Sequence, residues 1–111
     1  MIDGVKALET FRHQMDRLCN LISYSLYQMS IDLYSKSIIS KETYDNATNE
    51  SFSSHRRTAA LLDGMESRIR ESPSDFREII CILESDPFLS TLADGLVHSY
   101  NEKLKKTCSS E

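Results

Sequence analysis

Three histidines and three cysteines are the side chains of this sequence best suited to bind a metal ion or to act as bases and nucleophiles. They are His13, His55, His98, Cys19, Cys81 and Cys108. No histidine stands at a metal-ligand spacing from a cysteine, and His13 and Asp16 simply share one helix face. The cysteines match no zinc pattern, and their odd number argues against a disulfide framework. We expect Cys81, which lies in an apolar run, to be a buried thiol.

Longer catalytic motifs are missing from the sequence as well. Three glycines are too few for a phosphate-binding loop, and the sequence contains neither a nucleophile elbow nor a paired-histidine zinc motif. We therefore expect a protein that is not an enzyme and that binds no metal ion or cofactor. A net charge of −4 argues against binding to nucleic acid, because that binding depends on neutralising phosphates.

The length of 111 residues is enough for one domain with a single core. Hydrophobic residues make up 40% of the chain and charged residues 27%, which is typical of a globular protein. No stretch approaches the ~20 apolar residues of a membrane span, and the first residues do not resemble a secretion signal. The sequence predicts a cytoplasmic protein with no membrane contact, formed by a domain over residues 1–104 and a polar tail over 105–111.

Apolar residues recur at intervals of three and four along the chain, which predicts helices, and no segment alternates as a strand would. We expect six helices. The first two span residues 5–23 and about 25–36, a short third follows Ser40 and turns Tyr44 and Ala47 inward, the fourth starts near Ser53 or Ser54 and ends near residue 71, and the last two span 73–85 and 87 to about 104. Ser23-Tyr24-Ser25 contains no strong helix breaker, so the first two helices could be separate or one kinked helix. Ser40 is a plausible cap of the third helix, and Gly64 should weaken the fourth.

One Ser-Pro pair and one Asp-Pro pair mark the predicted starts of the last two helices. Ser72 before Pro73 and Asp86 before Pro87 predict capped starts for the fifth and sixth helices. The core should contain apolar residues that share the inner faces of the helices. They are Leu18, Leu33, Leu61, Met65, Phe76, Ile80, Leu83, Leu92 and Leu96.

Several short segments between Asp32 and Val97 resemble those of a known family. They are the segment from Leu33 to Glu42, Leu61-Leu62-Asp63, Ser67-Arg68, Phe76, Leu83-Glu84, Leu92-Ala93 and Leu96. The family is the caspase recruitment domain (CARD). In this order, the segments are similar to the turn after its helix two, the core of its helix four, the charged stretch that follows, the opening of helix five, the end of helix five and, for the last two, helix six. The asparagine-rich loop over residues 46–50 departs from the family pattern.

The resemblance implies an all-α, six-helix antiparallel bundle with the Greek-key topology of the death-fold superfamily. It also implies homotypic binding to CARD-containing proteins, or to further copies of the chain in an oligomer or filament, during apoptotic or innate-immune signalling. In this family, basic residues of helices one and four contact acidic residues of helices two and three of the next subunit. Here these positions are Arg17, Arg56 and Arg57, called the basic set, and Asp32, Glu42 and Asp45, called the acidic set.

Two other interpretations of these residues stay open. Charged residues on small helical proteins commonly do no more than solvate a face, and exposed pairs contribute under ~1 kcal/mol. Alternatively, the chain is a non-homotypic helical adaptor that binds the amphipathic helix of a partner, with Tyr24, Tyr27 and Tyr34 as anchors. A homotypic module should self-associate in a salt-dependent way, whereas such an adaptor should stay monomeric.

Overall fold

The computed structural model describes residues 3–87 and 89–109, and the side chains of 3–87 and 89–105. Within these residues the chain forms seven α-helices and one 3-10 turn and contains no strand. The elements are α1 (Gly4–His13), α2 (Met15–Ile22), the 3-10 turn (Ser23–Ser25), α3 (Leu26–Ser35), α4 (Lys41–Thr48), α5 (Ser54–Glu71), α6 (Asp75–Glu84) and α7 (Ser90–Ser109). The predicted all-α class is confirmed.

The predicted first helix is divided into α1 and α2 at Gln14. The backbone of Gln14 has φ −97° and ψ 8°, and its N–H lies 3.3 Å from the Thr10 carbonyl and 3.2 Å from that of Phe11. A second interruption, the 3-10 turn, separates α2 from α3. The first two predicted helices are therefore distinct segments, and the first of them is itself broken.

The core is a single cluster to which every helix contributes. The nine predicted core residues are all buried, as expected from their helical spacing. Helix α5 lies at the centre and packs against α1, α2, α4 and α6. Helix α7 packs against α1 and α6, and α3 packs against α4 and α6. Short links between successive neighbours favour the antiparallel arrangement that the sequence predicts.

Serine side chains cap the N-termini of α4 and α5. The Ser40 hydroxyl accepts a hydrogen bond from the Thr43 N–H at 3.1 Å, and the Ser53 hydroxyl accepts one from the Arg56 N–H at 3.2 Å. Each bond satisfies one of the N–H groups that the first turn of a helix leaves without a partner. The predicted cap at Ser40 is confirmed.

The start of α6 differs from the prediction. The helix begins at Asp75 instead of Pro73, and its cap residue, Ser74, makes no side-chain cap hydrogen bond. Ser72 is the C-cap of α5, with φ −141° and ψ 83°. Proline disfavours a helical conformation in the residue before it, so Ser72 is extended and the chain needs one more turn before α6. The prediction that Ser72 caps this helix is wrong.

Helix α7 also begins later than the sequence predicted and ends later. It starts at Ser90, three residues beyond Pro87, and the Asp86 carbonyl accepts hydrogen bonds from the N–H groups of Leu89 and Ser90. The helix continues to Ser109, into the predicted polar tail over 105–111. Residues 110 and 111 of that tail lie outside the described residues.

Cys81 is exposed, so the prediction of a buried thiol is wrong. Its neighbours Ile79, Ile80, Ile82 and Leu83 are all buried and form the inner face of α6. With 3.6 residues per turn, a residue between these two pairs points to the opposite side of the helix. Membership of an apolar run therefore does not decide burial, whereas position on the helix does.

Gly64 lets α4 approach α5 closely. A Cβ atom at Gly64 would lie 2.5 Å from Cγ2 of Thr43 and 3.3 Å from Cγ2 of Ile39. Real Cβ atoms essentially never lie under 3.0 Å from such a neighbour. The glycine is thus required by helix packing and is more than the weak point that helix propensity suggests.

Truncating Phe76 should destabilise the protein strongly. The ring is buried, and its centroid lies 5.6 Å from that of Tyr100. We expect Phe76→Ala to lower the free energy of unfolding by ~3–5 kcal/mol, a large part of the ~5–15 kcal/mol available to a small domain. Chemical denaturation measures the loss. Val5→Ala, at an exposed site, should change it by under ~0.5 kcal/mol, and equal effects would contradict the placement of Phe76 in the core.

Adding a methyl group at Gly64 should also destabilise the protein, by ~1–3 kcal/mol, because it overpacks the contact with α4. Gly95→Ala is the matched control, since a Cβ at Gly95 would have its nearest neighbour, an Arg17 guanidinium nitrogen, at 3.8 Å. That change should be neutral or stabilising by up to ~1 kcal/mol. Thr43→Ser, which removes the crowded methyl group, should reduce the cost of Gly64→Ala in the double variant. A stabilising Gly64→Ala would show that α4 is not held this closely.

Candidate protein-interaction surfaces

Two arginines of the basic set are exposed. Arg17 lies on α2 with its guanidinium near Gly95 of α7. Arg56 lies in the first turn of α5, and its guanidinium carbon is 3.8 Å from the centre of the Phe52 ring. This cation–π contact holds the Arg56 side chain against the preceding loop while its charge stays in water. Both charges remain accessible to a partner.

Arg57 differs from its neighbour, because it is half-buried and bound within the protein. Its Nε–H donates a hydrogen bond of 2.9 Å to the Ala47 carbonyl. Ala47 lies in the last turn of α4, where carbonyl groups lack partners within the helix. A cation at this end of a helix is also favoured by the helix dipole. Arg57 therefore joins α4 to α5, and it is not the exposed charge that the sequence suggested.

The acidic set is spread over two helices. Asp32 of α3 is half-buried, accepts a hydrogen bond of 3.0 Å from Nε2 of Gln28, and lines a groove between α3 and α6. Glu42 and Asp45 are exposed on α4, and Glu42 lines a groove between α4 and α5. The two α4 carboxylates are thus the accessible part of this set.

The ion pairs among the described residues use neither set. Arg12 on α1 pairs with Glu66 on α5, Arg70 approaches the same carboxylate at 3.8 Å, and Arg68 pairs with Asp75 at the start of α6. These pairs join α5 to α1 and to α6. Within the described part of the chain, the exposed members of the basic and acidic sets have no intramolecular counter-ion, which leaves their charges available for contacts with another protein.

An exposed apolar stripe runs along the 3-10 turn and α3. It consists of Tyr24, Tyr27, Ile31 and Tyr34, with 78%, 56%, 37% and 41% of their surface exposed. Their spacing of three, four and three residues places them on one face, away from the buried residues of α3. We call these four residues the tyrosine stripe. Ile31 was not predicted to belong to this surface, although its spacing from the tyrosines could have identified it.

The tyrosine stripe borders α4. The Tyr34 ring stacks on that of Tyr44, with centroids 4.8 Å apart and an angle of 28° between the planes. Tyr44 is half-buried and packs against the core. This contact fixes one end of the stripe, so at least the last ring has a defined orientation before any partner binds.

The cysteines and histidines form no metal-binding cluster among the described residues. Cys19 lies in a groove between α2 and the start of α5, near Asp16 and His55. Burial, and after it the charge of Asp16, raise the pKa of the Cys19 thiol, whereas a nucleophile or metal ligand needs the thiolate. No group of three or more histidine, cysteine or acidic side chains could hold a metal ion there. The Cys108 side chain lies outside the described ones.

Among the described residues, no helix combines the length and the apolar character that a membrane crossing requires. Comparisons with protein-family models, with curated proteins and with solved structures find no match to this chain. The resemblance to CARD therefore depends on the residues of this sequence alone and stays a prediction.

The two adjacent arginines should differ in their contribution to stability. Arg57→Ala removes the donor to the Ala47 carbonyl, and we expect it to lower the free energy of unfolding by ~1–2 kcal/mol. Arg56→Ala should cost under ~1 kcal/mol, because it removes only an exposed cation–π contact. Urea denaturation of both variants measures the difference. Losses of equal size, or a larger loss for Arg56→Ala, would contradict a structural role for Arg57.

Proposed function

We propose that this protein is an interaction module of the CARD type, which assembles with similar domains through contacts between opposite charges. The observation that carries the proposal is that the charged residues paired within the monomer are different from the exposed members of the basic and acidic sets. Ion pairs within the monomer use other side chains, while Arg17, Arg56, Glu42 and Asp45 are exposed. Positive charges on α2 and α5 and negative charges on α4 suit a contact between unlike surfaces of two copies.

Such a contact can repeat. When the basic set of one copy binds the acidic set of the next, each end of the pair still presents the surface that the next copy needs. Oppositely charged patches also accelerate encounter and set the register of the contact. The proposed product is an oligomer or filament with other CARD-containing proteins or with the same chain, in a cytoplasmic complex of apoptotic or innate-immune signalling.

The packing of the helices supports the fold that the proposal requires. If α1 and α2 are counted as one broken helix, the described chain has six helical segments, the number that the resemblance implies. Contacts of α1 with α5 and α7, and of α3 with α6, join segments that are distant in sequence. A Greek-key bundle needs such contacts, whereas a simple row of hairpins would have fewer of them. We propose the death-fold topology on this basis.

Arg57 changes how the charge contact should be tested. Because this residue supports the packing of α4 on α5, its reversal would affect the monomer as well as any assembly. Asp32 is also partly buried and hydrogen-bonded within α3. The informative substitutions are therefore at the exposed positions Arg56 on the basic side and Asp45 on the acidic side.

Reversing the charge of Arg56 should abolish the salt-dependent self-association of the protein. We expect wild-type protein to form head-to-tail oligomers at low salt and to lose this head-to-tail contact above ~0.5 M salt, since screening weakens contacts between exposed charges. Arg56→Glu should form no salt-dependent oligomers at low salt, with helicity and melting temperature nearly unchanged. Light scattering at both salt concentrations measures the effect. Arg77→Glu, an equal change of charge at an exposed site on α6, is the control and should still assemble.

Mixing complementary variants tests whether the contact joins unlike surfaces. Asp45→Lys alone should also fail to assemble, because its acidic side is reversed. Mixed with Arg56→Glu, it should recover part of the association, since opposite charges then face each other again. A wild-type protein whose association is the same at low and at high salt, or an Arg56→Glu variant that assembles as well as Arg77→Glu, would overturn the proposal.

A further inference from the structure

The charge contact makes no use of the tyrosine stripe. From the spacing, flanking residues and exposed area of the stripe, we propose that it binds the same stripe of a second copy, so that two α3 helices pack against each other across a two-fold axis. This dimer is a separate contact from the proposed charge contact, since it uses no residue of the basic or acidic set. It would exist even if the chain formed no head-to-tail assembly.

The spacing of the stripe is that of a helix–helix seam. Steps of three, four and three residues from Tyr24 to Tyr34 are those between the a and d positions of a heptad repeat, which line the contact between paired helices. Tyr27, Ile31 and Tyr34 belong to α3, and Tyr24 precedes them in the 3-10 turn. Other helices of the monomer cover the opposite face of α3, where Met29 and Leu33 are buried. The seam is thus an outer face of α3 suited to another helix.

The residues beside the stripe favour a second copy as the occupant. In a coiled coil, the positions that flank the seam select the partner through their charges. Here the exposed or partly exposed flanking positions are occupied by Ser23, Gln28 and Ser35, none of which is charged, and the fourth, Ser30, is buried within the monomer. Two identical stripes can therefore approach without repulsion, as a two-fold contact requires. A partner chosen by charge would find no counter-charge along this seam.

The area of the stripe indicates a weak dimer. At the exposed fractions of its four side chains, it presents about 450 Å² to water. Two copies would cover at most about 900 Å² with these residues, just below the ~1,000 Å² at which specific interfaces begin. Flanking polar residues would add to this area. The dimer should accordingly form at high protein concentration and dissociate on dilution.

The response to salt concentration distinguishes this contact from the charge contact. Screening weakens the association of exposed charges, whereas salt does not weaken the burial of apolar side chains. At ~0.5 M salt the head-to-tail contact should be lost while the stripe still pairs. Measurements at this salt concentration therefore report on the stripe alone, whatever the outcome for Arg56.

Sedimentation equilibrium of the full chain at ~0.5 M salt tests the proposal, over protein concentrations from ~10 µM to ~1 mM. The wild-type mass should rise from one copy toward two. Ile31→Lys should raise the dissociation constant at least ~10-fold, because it places a charge in the seam. Val97→Lys is the matched control: Val97 on α7 is 36% exposed and Ile31 is 37% exposed. It should leave the constant within ~2-fold of the wild-type value.

Circular dichroism of both lysine variants checks that they keep the wild-type helicity. Should Ile31→Lys not fold, Tyr27→Ser, at a more exposed position, provides the same test with a neutral side chain. A wild-type protein that remains monomeric up to ~1 mM would overturn the proposal. The helix of a different protein would then be the candidate partner of the stripe. Equal dimerisation of the Ile31→Lys and Val97→Lys variants would overturn the proposal too, because the dimer would then use another surface.

Discussion

The close approach of α4 to α5 is the constraint on which the arrangement of the exposed charges depends. Gly64 of α5 has no side chain where Thr43 of α4 lies against it. At the other end of α4, the Arg57 guanidinium binds the Ala47 carbonyl. These two contacts fix a short helix of eight residues that could not be stable alone. Because α4 carries Glu42 and Asp45, the same packing holds both carboxylates at the surface.

Packing also decides which of two neighbouring charges is available to a partner. Arg56 and Arg57 are adjacent in the sequence, but successive residues of a helix point in directions ~100° apart. Arg57 consequently reaches α4, whereas Arg56 lies over Phe52 with its charge in water. A basic pair in a sequence therefore contributes one accessible charge here. The two aspartates of the acidic set also differ, since Asp32 on α3 is half-buried and hydrogen-bonded to Gln28, whereas Asp45 on α4 is exposed.

The sequence predicts well what each helix determines by itself. Helical spacing identifies the inner face of every segment, and the core from Leu18 to Leu96 is accordingly confirmed. It predicts less well what depends on the junctions or on a second element. The extended backbone at Ser72 follows from Pro73 and delays α6, while the interruption at Gln14 has no proline or glycine to mark it. The role of Arg57 could not be predicted, because it depends on where α4 ends.

The two proposed contacts have different symmetry and respond differently to salt. The contact between the basic and acidic sets joins unlike surfaces and can continue from copy to copy, whereas pairing of the tyrosine stripes is complete with two copies. The two contacts use different residues, and Asp32 lies beside α6 while Tyr34 lies beside α4. One copy could then make both, and paired rows of molecules would result. Screening removes the charge contact first, so ionic strength would determine whether the chain forms rows or isolated pairs.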